Sequence, residues 1–101
     1  MEGGPLHIEV LPGQPGEHRV RLVGEFDVND ADRVRSHLLE MGHSRLVVDL
    51  SGIDFLDSSG IAAFVMVKKR FDEAGNQLIL TNPSSMIRQL FRTVGLEDWL
   101  S

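Results

Sequence analysis

The segment VVDLSGIDFLDSSGI, residues 47–61, is the most informative part of the sequence for the fold. It begins as an apolar strand, passes through a glycine-containing turn and reaches the polar DSSG motif, residues 57–60. A helix is predicted directly afterwards from the apolar residues that follow, Ile61, Phe64, Val65 and Phe71. The first turn of a helix has unpaired backbone N–H groups and a partial positive charge. A serine hydroxyl held there is exposed at a place where a phosphate group is well accommodated.

The composition limits the classes of function. A chain of 101 residues suits a single domain, residues 1–101, with one hydrophobic core. The net charge of -5 argues against direct binding of nucleic acid, which needs a basic surface. The sequence contains no cysteine, which excludes disulfides, thiol catalysis and thiolate metal sites. The longest apolar run, residues 61–67, is far shorter than the roughly 20 residues of a membrane span. The first residues carry no secretion signal, so we expect a cytoplasmic protein.

Periodicity along the chain predicts the order β-β-α-β-α-β-α. Alternating apolar residues predict two short strands, near residues 6–10 and 19–22, that pair as an antiparallel hairpin. The first helix is predicted from a stripe at helical spacing, which Gly42 ends. The stripe consists of Ala31, Val34, Leu38 and Met41. The continuous apolar run at residues 46–48 indicates a strand that is covered on both sides.

The rest of the chain continues the alternation of strands and helices. Gly75 is predicted to end the second helix, and residues 77–80 read as the last strand. A third helix follows Pro83, which suits a first helical turn, and a further turn is expected near residues 97–100. The predicted fold is therefore α/β, a small mixed sheet of about four strands with three to four helices packed against it.

Two connections are expected to form the functional edge of the sheet, residues 24–30 and residues 51–60. Both leave the carboxyl ends of strands, where open α/β sheets place their sites, so we expect them to lie side by side. Three apolar residues are expected to tie the second connection to the core, namely Ile53, Phe55 and Leu56. Gly60, Ala62 and Ala63 are small, which would allow another surface to come close to the first helical turn.

Enzymatic interpretations of the DSSG motif are weak. A serine hydrolase would need a Gly-x-Ser-x-Gly elbow, but Leu56 stands two positions before Ser58, and none of the four histidines is predicted near the motif. A phosphate-accepting aspartate among Asp49, Asp54 and Asp57 would need a lysine at a later strand end, and residues 78–82 offer none. The histidines lack metal-ligand spacing, so no metal or cofactor is expected. On composition alone, the motif is most simply a helix cap.

The whole pattern resembles the STAS-domain anti-sigma factor antagonists of bacteria. The resemblance covers about residues 6–100. The segments that carry it are GEFD at 24–27, VVDLSGI at 47–53, FLDSSGI at 55–61, Asn82-Pro83 and LFRTVGL at 90–96. The departures are mild: Ala62 and Ala63 follow the motif as small residues, and the bulkier Phe64 comes next, which could affect the choice of partner.

The resemblance implies a function and a set of site residues. Such a protein is not an enzyme. It binds an anti-sigma factor that is also a serine kinase, and thereby frees a sigma factor. The kinase phosphorylates the first serine of the motif, here Ser58, the phosphorylated form dissociates, and a separate phosphatase resets it. The residues implied to form the partner surface are Asp27, Asp57, Ser58, Ser59, Gly60 and Ile61.

Two other functions are open at this point. Some STAS domains are accessory or scaffold subunits of membrane transporters or of stress-sensing complexes. A plain interaction domain with an inert DSSG motif is the third possibility. The serine in the motif favours a kinase as the partner.

Overall fold

The strands form one mixed sheet whose order follows the chain. A computed structural model describes residues 5–41 and 44–101 of the protein. The elements are β1 (His7–Leu11), β2 (Glu17–Phe26), α1 (Val28–Glu40), β3 (Arg45–Leu56), α2 (Ser58–Glu73), β4 (Gln77–Thr81), α3 (Ser85–Thr93) and a final 3-10 turn (Glu97–Trp99). β1 pairs with β2 in antiparallel fashion, and the pairs β2–β3 and β3–β4 are parallel. The predicted α/β class, the mixed four-stranded sheet and the number of helices are confirmed.

A single hydrophobic core joins the three helices to the sheet. The Phe64 ring of α2 lies at its centre. It meets the Phe26 ring of β2 edge-on, with 5.3 Å between the centroids, and the Phe91 ring of α3 at 6.2 Å. All three rings are fully buried. Aromatic pairs in this geometry stabilise a fold beyond the burial of their area, so these contacts fix α2 relative to both neighbours.

The helix boundaries follow the predicted signals with one exception. Val34 and Leu38 of the α1 stripe are buried as predicted, whereas the expected cap Gly42 lies outside the described residues, as do residues 1–4. Gly75 follows α2 with a φ of +76°, a conformation that glycine adopts without strain.

The exception is Pro83. The N-cap of α3 is Ser84, whose hydroxyl accepts from the Ile87 backbone N–H, so the proline precedes the helix and is not part of its first turn.

β2 and β3 are longer than predicted. Residues 24–26 and 51–56 were expected in connections, but they continue the two strands to Phe26 and Leu56. The parallel register between the strands shifts twice, each time with one extra residue in β3. At the first of these bulges, Gly52 lies so close to β2 that a Cβ atom would come within 2.8 Å of the Leu22 carbonyl oxygen. A glycine in a bulged strand looks like a turn in the sequence, which explains the error.

The prediction that Phe55 lies in the core was wrong, and the second bulge is the reason. Ile53 and Leu56 are buried as expected, but the Phe55 residue is 45% exposed. Strand side chains alternate between faces, and one extra residue inverts the alternation. Phe55 therefore lies outside the core, and Ile53 and Leu56 are the side chains that anchor this end of the strand in it.

The sheet face opposite the core is covered by side chains of its own strands. Val47 is only 3% exposed, although it lies outside the core cluster, so the strand is buried on both sides as predicted. Arg21 bridges this face, with its guanidinium 3.4 Å from Asp49 and 3.6 Å from Glu9. These ion pairs connect β1, β2 and β3.

Candidate functional site

Two aspartates lie side by side at the carboxyl edge of the sheet. Phe26 and Leu56 are register partners at the ends of β2 and β3, and Asp27 and Asp57 follow them directly. The Asp57 backbone N–H donates to the Phe26 carbonyl oxygen at 3.4 Å, which links the two connections. The predicted proximity of the two connections is therefore confirmed, although each is shorter than expected.

Both aspartates are helix N-caps. An Asp57 carboxylate oxygen accepts from the backbone N–H groups of Ser59 at 2.9 Å and Gly60 at 3.3 Å. An Asp27 carboxylate oxygen accepts from the Asn29 N–H at 2.9 Å in the same way. A side-chain oxygen at this position satisfies backbone donors that have no partner inside the helix. The helix-cap interpretation is thus correct for Asp57. This cap also fixes the position of the residues that follow it.

The two serines of the motif differ in exposure. Ser58 is exposed and forms the first residue of α2, whereas Ser59 is half-buried and faces a groove between α1 and α2. The Asp57 carboxylate already accepts from two N–H donors of the first turn, those of Ser59 and Gly60. The structure therefore presents Ser58 at the surface, directly after the capping residue of α2.

Gly60 lies in the interior, which corrects the expectation that it opens the surface to a partner. A Cβ atom there would clash with a Leu56 methyl group and come within 3.2 Å of the Phe26 ring. Its small size lets α2 begin directly above the strand ends. Ile61 is half-buried against the core, and among the other two small residues Ala63 is buried while Ala62 is exposed.

Asp49 secures the bulge that leads to the motif. Its carboxylate accepts from the Ser51 backbone N–H at 2.8 Å and from the Arg21 guanidinium at 3.4 Å. Burial by itself would raise the pKa of Asp49, but hydrogen bonds from Ser51, Asn82 and Arg21 outweigh it and hold the pKa below its usual value. Asp49 thus acts as a charged structural residue. Asp54, beyond the bulge, is exposed near the motif.

An apolar groove adjoins the motif, and the sequence did not predict it. It has a volume of about 300 Å³ and is lined by Val28, Ala31, Asp32, Arg35, Ser59, Ala62, Ala63 and Met66. Val28 is 67% exposed and Met66 is 39% exposed. Val28 lies three residues before Ala31, so extending the α1 stripe backwards would have drawn attention to it. Its exposure results from α1 beginning at the edge of the sheet.

The described part of the chain offers no group of three or more histidine, cysteine or acidic residues placed to hold a metal ion. Within the same residues, no helix is long and apolar enough to cross a membrane. The groups that remain at this edge are hydroxyls, carboxylates and exposed apolar side chains.

The sequence matches known proteins over most of its length. Residues 10–101 match the family model described as "Mlab, STAS domain". An anti-sigma-B factor antagonist of Bacillus subtilis is 32% identical over 82 residues, which cover 79% of this chain and 75% of that protein. An anti-sigma F factor antagonist of Lysinibacillus sphaericus is 27% identical over 85 residues, covering 80% and 73% of the two chains.

Solved structures share the fold. The anti-sigma factor antagonist SpoIIAA in its unphosphorylated form superposes with a TM-score of 0.81 at 21% identity, covering 94% of this chain and 86% of that one. The murine anion transporter Slc26a9 contains a similar unit, with a TM-score of 0.66 at 21% identity over 77% of this chain and 14% of the transporter. Because the matching family model spans nearly the whole sequence, this chain belongs to the STAS-domain family.

Proposed function

We propose that this protein is an anti-sigma factor antagonist that binds an anti-sigma factor serine kinase and is switched off by phosphorylation of Ser58. The observation that carries the proposal is the placement of Ser58, which is exposed at the start of α2 directly after the capping residue Asp57, at the same sheet edge where Asp27 caps α1. The names of the two relatives support the same role. The role requires no catalysis by this chain, and it places the chain in the cytoplasm together with its kinase and a phosphatase.

Electrostatics explains how one phosphate could act as the switch. Phosphorylation would add about -1.5 to -2 charges beside Asp27, Asp54 and Asp57. Because Asp57 occupies the N–H groups of Ser59 and Gly60, the phosphate would stay at the surface. A partner surface that fits a neutral hydroxyl would then meet a dense negative charge. A loss of about 3 kcal/mol at the interface would weaken binding roughly 100-fold, which is enough for a switch.

The test has two parts. The intact mass of the protein isolated from its own cells should show one added phosphate, and the Ser58→Ala variant should lack it. The second part measures affinity for the anti-sigma factor kinase of the same bacterium that binds the unmodified protein. Purified Ser58→Asp should bind this kinase roughly 100-fold more weakly than the unmodified protein does. Equal affinity of the two proteins would contradict the switch, and an unphosphorylated protein under every growth condition would reduce the motif to a helix cap.

The alternative function is that of an accessory or scaffold subunit of a transporter or a stress-sensing complex. This chain and a part of Slc26a9 share a fold, and this shared fold is the reason for considering the alternative role. Purification from the native cells distinguishes the two roles. A small serine kinase bound in a ratio close to one to one supports the antagonist, whereas a stable complex with a transporter ATPase supports the accessory subunit.

A further inference from the structure

We infer that the groove between α1 and α2 is a second contact surface for the same anti-sigma factor, and that it receives an apolar segment carrying carboxylate groups. This inference rests on the proposed function, because it assigns a further part of the partner's surface. It concerns residues outside the DSSG motif, chiefly Met66 and Arg70 further along α2.

The groove continues from the motif along the two helices. Its first part begins at Ser59, next to Ser58, and ends at Arg35 and Met66. A second depression of about 350 Å³ shares those two residues and extends the groove to Leu39 and Arg70. A partner bound at the motif can therefore follow one continuous depression along α2.

The floor of the groove is apolar although it is open to solvent. Ala31 and Ala63 lie at its base, while Met66 and Val28 are 39% and 67% exposed at its sides. Unbranched methionine side chains adapt to varied apolar partners, which makes them common at binding surfaces. Covering these side chains would remove apolar area from water and favour association.

The charge of the groove changes along its length. The caps Asp27 and Asp57 stand at the starts of the two helices, and Asp32 lines the first part of the groove. The far end carries Arg35 and Arg70. Arg35 contacts Asp32 at 3.3 Å, but this aspartate is 91% exposed, and Arg70 has no salt bridge within residues 5–41 and 44–101. Exposed ion pairs are weak, so Arg35 can exchange its partner for another carboxylate.

The DSSG motif is too small to form a stable interface by itself. A stable complex buries about 800 Å² on each partner. Of the four motif residues, Gly60 is buried and Asp57 and Ser59 are half-buried, so the motif cannot supply this area alone. The adjoining groove is apolar at its floor and basic at its far end, and this fits a partner segment that is apolar with acidic side chains.

Two charge-introducing variants test the inference against matched controls. Met66→Glu places a carboxylate on the apolar wall, and Arg70→Glu reverses the charge at the far end. Met86→Glu is the control for the first, because Met86 is 42% exposed on α3, away from the groove. Lys69→Glu is the control for the second, because it reverses the neighbouring charge on α2 and Lys69 does not line the groove. Thermal melts verify that all four variants fold.

The measured quantity is the affinity for the anti-sigma factor kinase that binds the unmodified chain. We expect Met66→Glu and Arg70→Glu each to weaken binding by roughly tenfold or more, and the controls to bind within about threefold of the unmodified chain. Groove variants that match their controls while Ser58→Asp loses affinity would overturn this inference and leave the proposed function intact. A failure of the unmodified chain to bind any such kinase would overturn both.

A second copy of this chain is the other occupant that the experiment detects. Sedimentation of the unmodified protein and of Met66→Glu gives the association state of each. Self-association that is lost in Met66→Glu, together with unchanged affinity for the kinase, would assign the groove to a homodimer and overturn the inference.

Discussion

Asp57 caps α2 in the same way that Asp27 caps α1. Each carboxylate accepts from the backbone N–H two residues further along at 2.9 Å, and the two residues that precede them, Phe26 and Leu56, are paired between neighbouring strands. The two helices therefore start next to each other from the same edge of the sheet. This arrangement places the exposed Ser58 directly after one capping aspartate and at the sheet edge that carries the other.

The cap at Asp57 should contribute measurably to stability. We expect Asp57→Ala to lower the free energy of unfolding by about 1 kcal/mol, because the N–H groups of Ser59 and Gly60 lose their acceptor. Asp57→Asn keeps an acceptor oxygen and should lose less. Urea denaturation followed through the fluorescence of Trp99 measures both. Equal stability of Asp57→Ala and the unmodified protein would show that the cap contributes nothing.

The close approach of β3 to β2 should make Gly52 intolerant of a side chain. We expect Gly52→Ala to lower the free energy of unfolding by roughly 1–3 kcal/mol, because its Cβ would meet a backbone oxygen that cannot move alone. Gly60→Ala should cost less, because its Cβ would clash with the end of the Leu56 side chain while the nearest backbone atom, the Phe26 carbonyl oxygen, is 3.2 Å away, and because alanine favours a helix by about 1 kcal/mol. Denaturant titrations measure the loss of unfolding free energy in each variant. A larger loss in Gly60→Ala than in Gly52→Ala would contradict this prediction.

Asp49 should make stability depend on pH in the acid range. Its folded-state pKa lies below the ordinary value of 3.8, so the unfolded chain binds the proton more readily. The stabilisation is therefore fully present above pH 3.8 and is lost as the pH falls through the lower folded-state value. We expect Asp49→Asn to be less stable by roughly 1–3 kcal/mol at neutral pH.

The pH dependence of unfolding between pH 2 and 7 checks this assignment of Asp49. The difference in stability between the unmodified protein and Asp49→Asn should narrow toward the acid end. A difference that stays constant over the whole range would show that charge on Asp49 is not the cause.

The charge of a phosphate mimic should leave the fold intact. Ser58 is exposed at the first position of α2, where a negative charge interacts favourably with the helix dipole and unfavourably with Asp57. We expect Ser58→Asp to change the free energy of unfolding by less than about 0.5 kcal/mol, with Ser58→Ala as the control. Thermal and urea unfolding measure it. A loss of several kcal/mol would mean that a charge at this position acts by unfolding the domain.

Several features of the site could be predicted from the sequence because they depend on neighbours along the chain. The alternation of strands and helices, the caps before α2 and α3, and the glycine after α2 all follow from local preferences. The adjacency of the two connections also followed, because parallel strands bring their carboxyl ends to one edge. The partner residues named around Ser58 stay predictions until a complex is studied.

The errors concern residues whose environment depends on distant segments. Phe55 was expected in the core and Gly60 at the surface, and the structure reverses both. The second bulge in β3 causes the first error, since it forms only when β3 pairs with β2. The close packing of α2 onto Phe26 causes the second.

The class of fold, the helix that begins at Ser58 and the capping of that helix could be predicted from the sequence, because capping and periodicity act over a few residues. The adjacent ends of β2 and β3, the inward position of Gly60 and the groove that α1 and α2 form from Ser59 to Arg70 became visible in the folded chain. The physical reason is that these features depend on packing between segments far apart in the chain. Local preferences in the sequence carry no information about that packing.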